Sequence, residues 1–483
     1  MSPAARGSRR NPPYWTIAAF AVLVLLPTFW AGAALLAAAA VTGAVAAIRE
    51  TAFRHARAAA SFGADNAVTL GTDTAGKQVG LDDHQLGAHG LILGASGSGK
   101  STTLLRTLTD QIRRGRPVIV IDLKGSPAFA RELASAAGAA GRPFKLFSPD
   151  GPDHWNPLAH GNATQLKDKL IASERFTEPH YQRAAERYVQ TVLQVLHGAH
   201  PDRAAELAEV VALMDPRRLS GALRRLPRER AAQVQDYLAS LTPDQQSAIR
   251  GFATRLALIT ESNVGPLLAS VPDRGEMIDL RSALEHREVV LFSLNSSTYG
   301  KLASQLGTLA IQDLIAAAGD RLDRSSGAKP IPATIGIDEF SALGTENVVG
   351  LLVRGREAGL SVLLVTQELA DLDRAGRGMR DQVVGNTAVK IAHRQDVPAS
   401  AQMIAEMAGT RTAWAETEQI GGRFGGYGRR GTRHEVERFV VHPNQIKSLR
   451  TGEAVMITKL PQAGVRLLTV RGPSRDDGQG RGR

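Results

Sequence analysis

The run Gly94-Ala95-Ser96-Gly97-Ser98-Gly99-Lys100-Ser101 directly follows the short apolar segment Leu91-Ile92-Leu93. No other feature of the chain limits its possible folds as strongly. Glycines at 94, 97 and 99 let the backbone turn so that successive N–H groups point inward at phosphate oxygens, as in a G-x-x-x-x-G-K-[ST] loop. Lys100 adds a point charge for the β and γ phosphates, and the Ser101 hydroxyl can ligate Mg²⁺. The helix expected to open at Thr102-Thr103-Leu104-Leu105 aims its positive N-terminus at the same anion, which brings Thr102 into the phosphate-binding set. An apolar strand, such a loop and a helix in sequence predict a RecA-like P-loop NTPase of the α/β class that binds ATP and Mg²⁺.

A second element completes that prediction. Ile335-Gly336-Ile337-Asp338-Glu339 has the form of a Walker B strand. Asp338 is the expected Mg²⁺ carboxylate, acting through water or Ser101, and Glu339 is placed to polarise the attacking water. Phosphoryl transfer needs positioned charge more than covalent chemistry, so these few groups suffice. Downstream, the strand signal over 361–365 ends in Thr366-Gln367, and Gln367 is a candidate to sense the γ-phosphate or orient water. Arg354 and Arg356 precede that strand, and Arg356 is a candidate arginine finger towards a neighbouring subunit's nucleotide.

Strand signals recur at Val118-Ile119-Val120-Ile121-Asp122, over 289–294, 334–337, 361–365 and 388–391, separated by helix-sized segments. That alternation predicts a mostly parallel sheet. Between about 160 and 275 the texture changes to successive helices, exemplified by Tyr181, Ala184, Ala185, Tyr188, Val192 and Leu196 at helical spacing. The expected organisation is a basic N-terminus (1–13), two transmembrane helices (14–48), a linker (49–67) and the first part of a nucleotide-binding domain (68–158). An all-α domain (159–280), inserted between the Walker motifs, the second nucleotide-binding part (281–471) and a disordered tail (472–483) follow.

The membrane expectation rests on the absence of any charged residue from Tyr14 to Ile48, a stretch well beyond the roughly 20 residues needed for one helical crossing. Arg6, Arg9 and Arg10 precede it and Arg49, Arg54 and Arg57 follow it, so a hairpin with both ends cytoplasmic is expected, and a multi-pass protein of the cell membrane with it. The chain has no cysteine, which excludes disulfides, thiol chemistry and thiolate metal sites. Its formal net charge of +11 is permissive of a polyanionic partner. Two arginine-rich clusters are candidate contacts. One comprises Arg217, Arg218, Arg224, Arg225, Arg228 and Arg230; the other, within 421–433, interleaves Arg423, Arg429, Arg430 and Arg433 with Phe424 and Tyr427. Nothing resembles a base-reading module, so DNA binding would be independent of sequence.

With these residues in hand, the chain resembles the type IV secretion coupling proteins, conjugative DNA-transfer ATPases of the TraD/TraG kind within the FtsK–HerA superfamily. The resemblance runs from about Leu70 to Arg471. It is carried by His89-Gly90-Leu91-Ile92-Leu93-Gly94, Ile121-Asp122-Leu123-Lys124-Gly125, Asn156-Pro157-Leu158 and Asp338-Glu339-Phe340 with Leu343-Gly344. Gly355-Arg356 ahead of Thr366-Gln367, and Pro443-Asn444-Gln445-Ile446 with Leu449 and Gly452, complete it. The resemblance implies a homo-hexameric ring that hydrolyses ATP at subunit interfaces and drives DNA, or a relaxase–DNA complex, towards a membrane-embedded secretion channel. Two other functions stay open at this level: a motor that exports protein, and a docking receptor in which hydrolysis is marginal.

Overall fold

The computed structural model describes residues 67–270, 275–324, 330–376, 378–419 and 430–472. In chain order the strands are β1 (Ala67–Asp73), β2 (Gln78–Asp82), β3 (Gly90–Leu93), β4 (Val118–Asp122), β5 (Phe144–Phe147), β6 (His154–Trp155), β7 (Met277–Ile278) and β8 (Val289–Ser293). They continue as β9 (Ala333–Asp338), β10 (Leu360–Thr366), β11 (Val389–Ala392), β12 (Thr410–Gln419), β13 (Arg430–Phe439), β14 (Glu453–Thr458) and β15 (Gly464–Val470).

Eleven of these form one sheet in the order β2-β1-β15-β14-β11-β3-β10-β9-β4-β8-β5. From β11 to β5 every neighbouring pair is parallel, and β14, β15 and β1 then add antiparallel pairs at one side. The sequence expectation of an α/β fold with a mostly parallel sheet is therefore met. Its physical cause is visible in β4. All five residues of Val-Ile-Val-Ile-Asp are buried, as a parallel strand covered on both faces requires. Alternation divides them: Ile119 and Ile121 join one apolar cluster, Val118 and Val120 the other.

Helix Lys100–Arg113 packs on the second face through Leu104, Leu105, Leu108 and Ile112. It approaches β9 closely at Gly336, where an added Cβ would lie 3.3 Å from the Leu104 side chain. On the other face lie helices Ser296–Arg324, kinked at Gly300 (φ 46°), and Thr345–Glu357.

Between β6 and β7 the chain makes helices Ala163–Ala172, Pro179–Ala199, Leu207–Leu213, Pro216–Ala222, Arg228–Ala239 and Pro243–Thr260. The parallel pairing of His154 with Met277 and Trp155 with Ile278 closes the neck of this helical excursion. Trp155 fills the neck, its ring 5.1 Å from Phe292 and 5.7 Å from Phe147 in edge-on contacts. Its indole N–H donates to Asp313 Oδ2 at 3.2 Å, while Asp313 Oδ1 accepts from Lys169 Nζ at 2.8 Å. A second buried anchor is Glu174, which meets Arg255 at 3.3 Å, Lys301 at 3.1 Å and the Gln305 amide.

One expectation is corrected. No helix among the described residues is long and apolar enough to cross a membrane, so a multi-pass membrane placement is not upheld. The two longest helices show why. Pro179–Ala199 carries Arg183, Glu186 and Arg187, and Ser296–Arg324 carries Lys301, Asp313, Asp320 and Arg321. Charges at that density suit amphipathic helices with one face in a protein core. The hairpin expected over 14–48 lies outside the described residues, as do all but the first residue of the tail expected over 472–483 and the segment 420–429 of the second arginine cluster.

Candidate active site

Parallel pairing of β3, β10, β9 and β4 brings their carboxyl ends to one edge of the sheet. Leu93 is level with Thr366, Val365 with Asp338, and Asp338 with Asp122. The phosphate loop after β3, Gln367 after β10, Asp338-Glu339 after β9 and Asp122–Lys124 after β4 therefore share one crevice. Such an edge is where open α/β sheets bind ligands.

Gly94, Gly97 and Gly99 have φ values of 158°, 71° and 118°, the last two squarely in the region that glycine alone adopts freely. The loop is packed from behind as well. A Cβ on Gly94 would lie 2.5 Å from Ser98 Oγ and 2.7 Å from His393 Cβ. Gly94 N–H donates to the Gln367 carbonyl and Ala95 N–H to the Arg394 carbonyl, so the loop is tied to β10 on one side and β11 on the other. Ser96 and Gly97 are exposed, Ser98 is buried, and Lys100 opens the helix with Ser101 and an exposed Thr102 behind it. The first-turn amides of a helix lack intrahelical acceptors, so this end presents donors to an anion.

Lys100 folds back onto the loop, donating to the carbonyls of Gly94 at 2.5 Å and Ala95 at 3.0 Å. Burial, and then the nearby Lys124 ammonium, lower its pKa below the ordinary lysine value. An arriving polyphosphate would offset both penalties. Ser101 Oγ stands 3.5 Å from Asp338 Oδ2, the spacing of a hydroxyl and a carboxylate that can flank one cation.

Lys124 is a group that sequence reasoning left without a role. Its Nζ lies 3.0 Å from Asp338 Oδ2, 3.1 Å from Asp338 Oδ1 and 3.3 Å from Glu339 Oε1. Burial works against its charge, but the carboxylates of Asp338 and Glu339 outweigh it and raise the pKa. Burial also pushes the Asp338 carboxyl above the usual range, against the pull of Lys124. The two directions are compatible, because Asp338 is almost wholly enclosed while Lys124 is about one third exposed. Asp122 steadies the turn that carries Lys124, accepting from the backbone N–H groups of Lys124 and Ser126 at 2.9 and 3.0 Å.

Glu339 sits at φ 59° and ψ 40°, a left-handed conformation that non-glycine residues seldom adopt. Strain of this kind persists where surrounding structure fixes a functional side chain. Here it turns the carboxylate back to the crevice, where Gln367 Nε2 donates to Glu339 Oε1 at 3.0 Å. His393 buttresses the loop. Its Nδ1–H donates to the Glu453 carbonyl at 2.9 Å, and Nε2 accepts from Thr103 Oγ1 at 2.8 Å. Burial holds this imidazole neutral, with its pKa lowered to about 4. Nothing in the local sequence signals that role; it follows from the adjacency of β11 and β3.

The crevice thus gathers Gly94–Ser101, Asp338, Glu339 and Gln367. It does not gather Arg356, which lies at the far end of helix Thr345–Glu357, a span of roughly 20 Å that returns the chain to the opposite edge of the sheet. Of the first arginine cluster, all six side chains are exposed, and Arg225 contacts His200 at 2.7 Å. Among the described residues no group of three metal-binding side chains occurs. The hard oxygen pair Ser101 and Asp338 suits Mg²⁺, which takes few protein ligands and completes its shell with phosphate and water.

Comparisons agree with this picture. Residues 332–451 match the family described as the TraM recognition site of TraD and TraG. No curated protein matches the chain. Among solved structures, the bacterial conjugative coupling protein TrwBdeltaN70 in an unbound monoclinic form superposes with a TM-score of 0.60 at 17% identity, over 84% of this chain and 89% of that one. The plasmid coupling protein TrwB in complex with ADP and Mg²⁺ gives 0.60 at 16% identity, over 84% and 90%. VirB4 of Thermoanaerobacter pseudethanolicus gives 0.54 at 13% identity, over 84% and 97%. The chain resembles type IV coupling proteins of the TraD/TraG kind in fold and, across 332–451, in sequence.

Proposed function

We propose that this chain is a P-loop ATPase that hydrolyses ATP with Mg²⁺ and uses the energy to move DNA, or a relaxase–DNA complex, into a conjugative secretion channel. The observation that carries the reading is the placement of Glu339, held by strained backbone and by Gln367, beside the Ser101–Asp338 pair. A passive receptor has no need of a water-polarising carboxylate in that position. Solved structures of the plasmid coupling protein TrwB in complex with ADP and Mg²⁺, and with non-hydrolysable GTP and ATP analogues, support a reading in which this fold binds nucleotide and Mg²⁺.

In this reading the loop amides and Lys100 bind the phosphates, Lys100 exchanging its two carbonyl contacts for phosphate oxygens. Ser101 and Asp338 would hold Mg²⁺, which supplies neutralising charge to the β and γ oxygens. Lys124 must then release Asp338. Glu339 accepts a proton from the attacking water while Gln367 fixes the carboxylate's orientation. Arg356 is too far from its own phosphate loop to act there, so a catalytic role for it requires a neighbouring subunit in a ring, proposed to be a homo-hexamer. The exposed arginines between 217 and 230 offer backbone contacts without base specificity.

Translocation is tested by ATP-dependent displacement of streptavidin from end-biotinylated DNA by the full chain. Displacement that requires Glu339 is expected. DNA-stimulated hydrolysis with no displacement would replace the motor by a docking receptor, and stimulation by a secreted protein instead of DNA would favour protein export.

A further inference from the structure

A cavity of about 570 Å³ opens at the amino-terminal edge of the parallel strands, the edge away from the phosphate loop. Arg356, Lys390 and Lys459 line it over an apolar floor that includes Leu352, Val384 and Met407, and no carboxylate is among its lining residues. The size lies in the range of small-ligand sites.

Lys390 is the unusual member. It belongs to β11, whose four residues are all buried, and is itself 4% exposed. Its ammonium donates to the Thr387 carbonyl, and Lys459 donates to the Met407 carbonyl at 3.3 Å. No ion pair to a carboxylate joins either lysine or Arg356 among the described residues. The protein shows elsewhere how it keeps a buried lysine for structure alone: Lys169, 2% exposed, meets Asp313 at 2.8 Å. Burying an ammonium without a counter-charge is costly, and the nearby Lys459 charge adds to that cost. An anion in the cavity removes both penalties.

We propose that this cavity is a second phosphate-binding site, which takes phosphate groups presented from outside the chain. The chain's own nucleotide cannot supply them, since β3 separates His89 at the cavity from Gly94 at the loop by roughly 15 Å. The phosphates come either from a DNA backbone or from a nucleotide held by a second copy of the chain, and both present the same oxyanion to Lys390, Lys459 and Arg356. Assignment of this site does not depend on whether the chain hydrolyses ATP.

Inorganic pyrophosphate is the probe, titrated calorimetrically into the full chain. Lys100→Ala silences the phosphate loop and is expected to leave one pyrophosphate site. Adding Lys459→Glu is expected to weaken that site by tenfold or more, whereas Lys459→Glu alone leaves loop binding intact. Lys459 is exposed and gives up one hydrogen bond, so an unchanged thermal midpoint shows that the fold survives. Displacement of pyrophosphate by a short random-sequence duplex identifies DNA as the source; displacement by ATP and not DNA identifies a nucleotide. Absence of pyrophosphate binding in Lys100→Ala, its persistence through both Lys459→Glu and Lys390→Met, or displacement by neither competitor would overturn the proposal.

Discussion

Lys124 Nζ lies 3.0 Å from Asp338 Oδ2, so the carboxylate expected to serve Mg²⁺ is held by an ammonium from the neighbouring strand end. Metal binding has to compete with that pair. Lys124→Met should therefore lower the Mg²⁺ concentration needed for half-maximal ATP turnover, by up to about tenfold if the pair is worth about 1.4 kcal/mol. A Mg²⁺ titration of turnover checks this, and an unchanged or higher requirement would show that Lys124 does not guard Asp338.

Glu339 and Gln367 form one unit through a 3.0 Å hydrogen bond, but they are not equivalent. Glu339→Gln keeps the shape and removes the base, so kcat should fall by about 10²–10⁴-fold while nucleotide binding persists. Gln367→Ala frees the carboxylate without removing it, and a loss nearer tenfold is expected. Single-turnover hydrolysis paired with nucleotide binding separates the two; equal losses would mean that Gln367 itself acts on the reacting groups.

The Lys169–Asp313 pair pins the helical excursion to helix Ser296–Arg324. Lys169→Met leaves Asp313 buried with the Trp155 indole as its remaining side-chain donor. Breaking one side of such a pair costs about 3–5 kcal/mol, which urea unfolding would read as a lower midpoint at constant slope. A loss under about 1 kcal/mol would mean that Asp313 protonates or finds water at little cost.

His89 and His393 are both held neutral by burial, with pKa values lowered from 6.5 to about 4. The unfolded chain takes up protons below pH 6.5 and the folded one only near 4. Stability is thus lost as pH falls through that window, by roughly 3 kcal/mol for each histidine at its lower end. His89 occupies a left-handed conformation (φ 63°) that asparagine tolerates, with Nδ1 accepting from Val362 N–H and Nε2–H donating to the Leu352 carbonyl. His89→Asn should flatten the decline of Tm between pH 6.5 and 4 while lowering Tm at pH 7. A slope as steep as in the unsubstituted chain would exclude His89 as a source.

Much of the crevice was legible in the sequence because its parts are local. The loop declares itself by glycine spacing, and β4 and β9 by apolar runs that end in an acid. What escaped depends on strand order. Lys124 meets Asp338 across 214 positions, and His393 reaches the loop because β11 lies beside β3. Arg356 was read correctly as preceding a strand next to Walker B. Its distance from the site follows from the direction of helix Thr345–Glu357, which periodicity does not encode. The two-residue strands β6 and β7 are too short to carry a pattern, so the neck of the helical excursion was invisible. The membrane expectation rested on residues outside those described, and the described helices give it no support.

ATP turnover by the full chain, with and without DNA of arbitrary sequence, tests the central claim most directly. Hydrolysis that rises with DNA, is insensitive to base sequence, declines with salt and disappears in Lys100→Ala is the predicted result. Turnover that stays the same with DNA of any length, or that survives Lys100→Ala and Glu339→Gln, would contradict it.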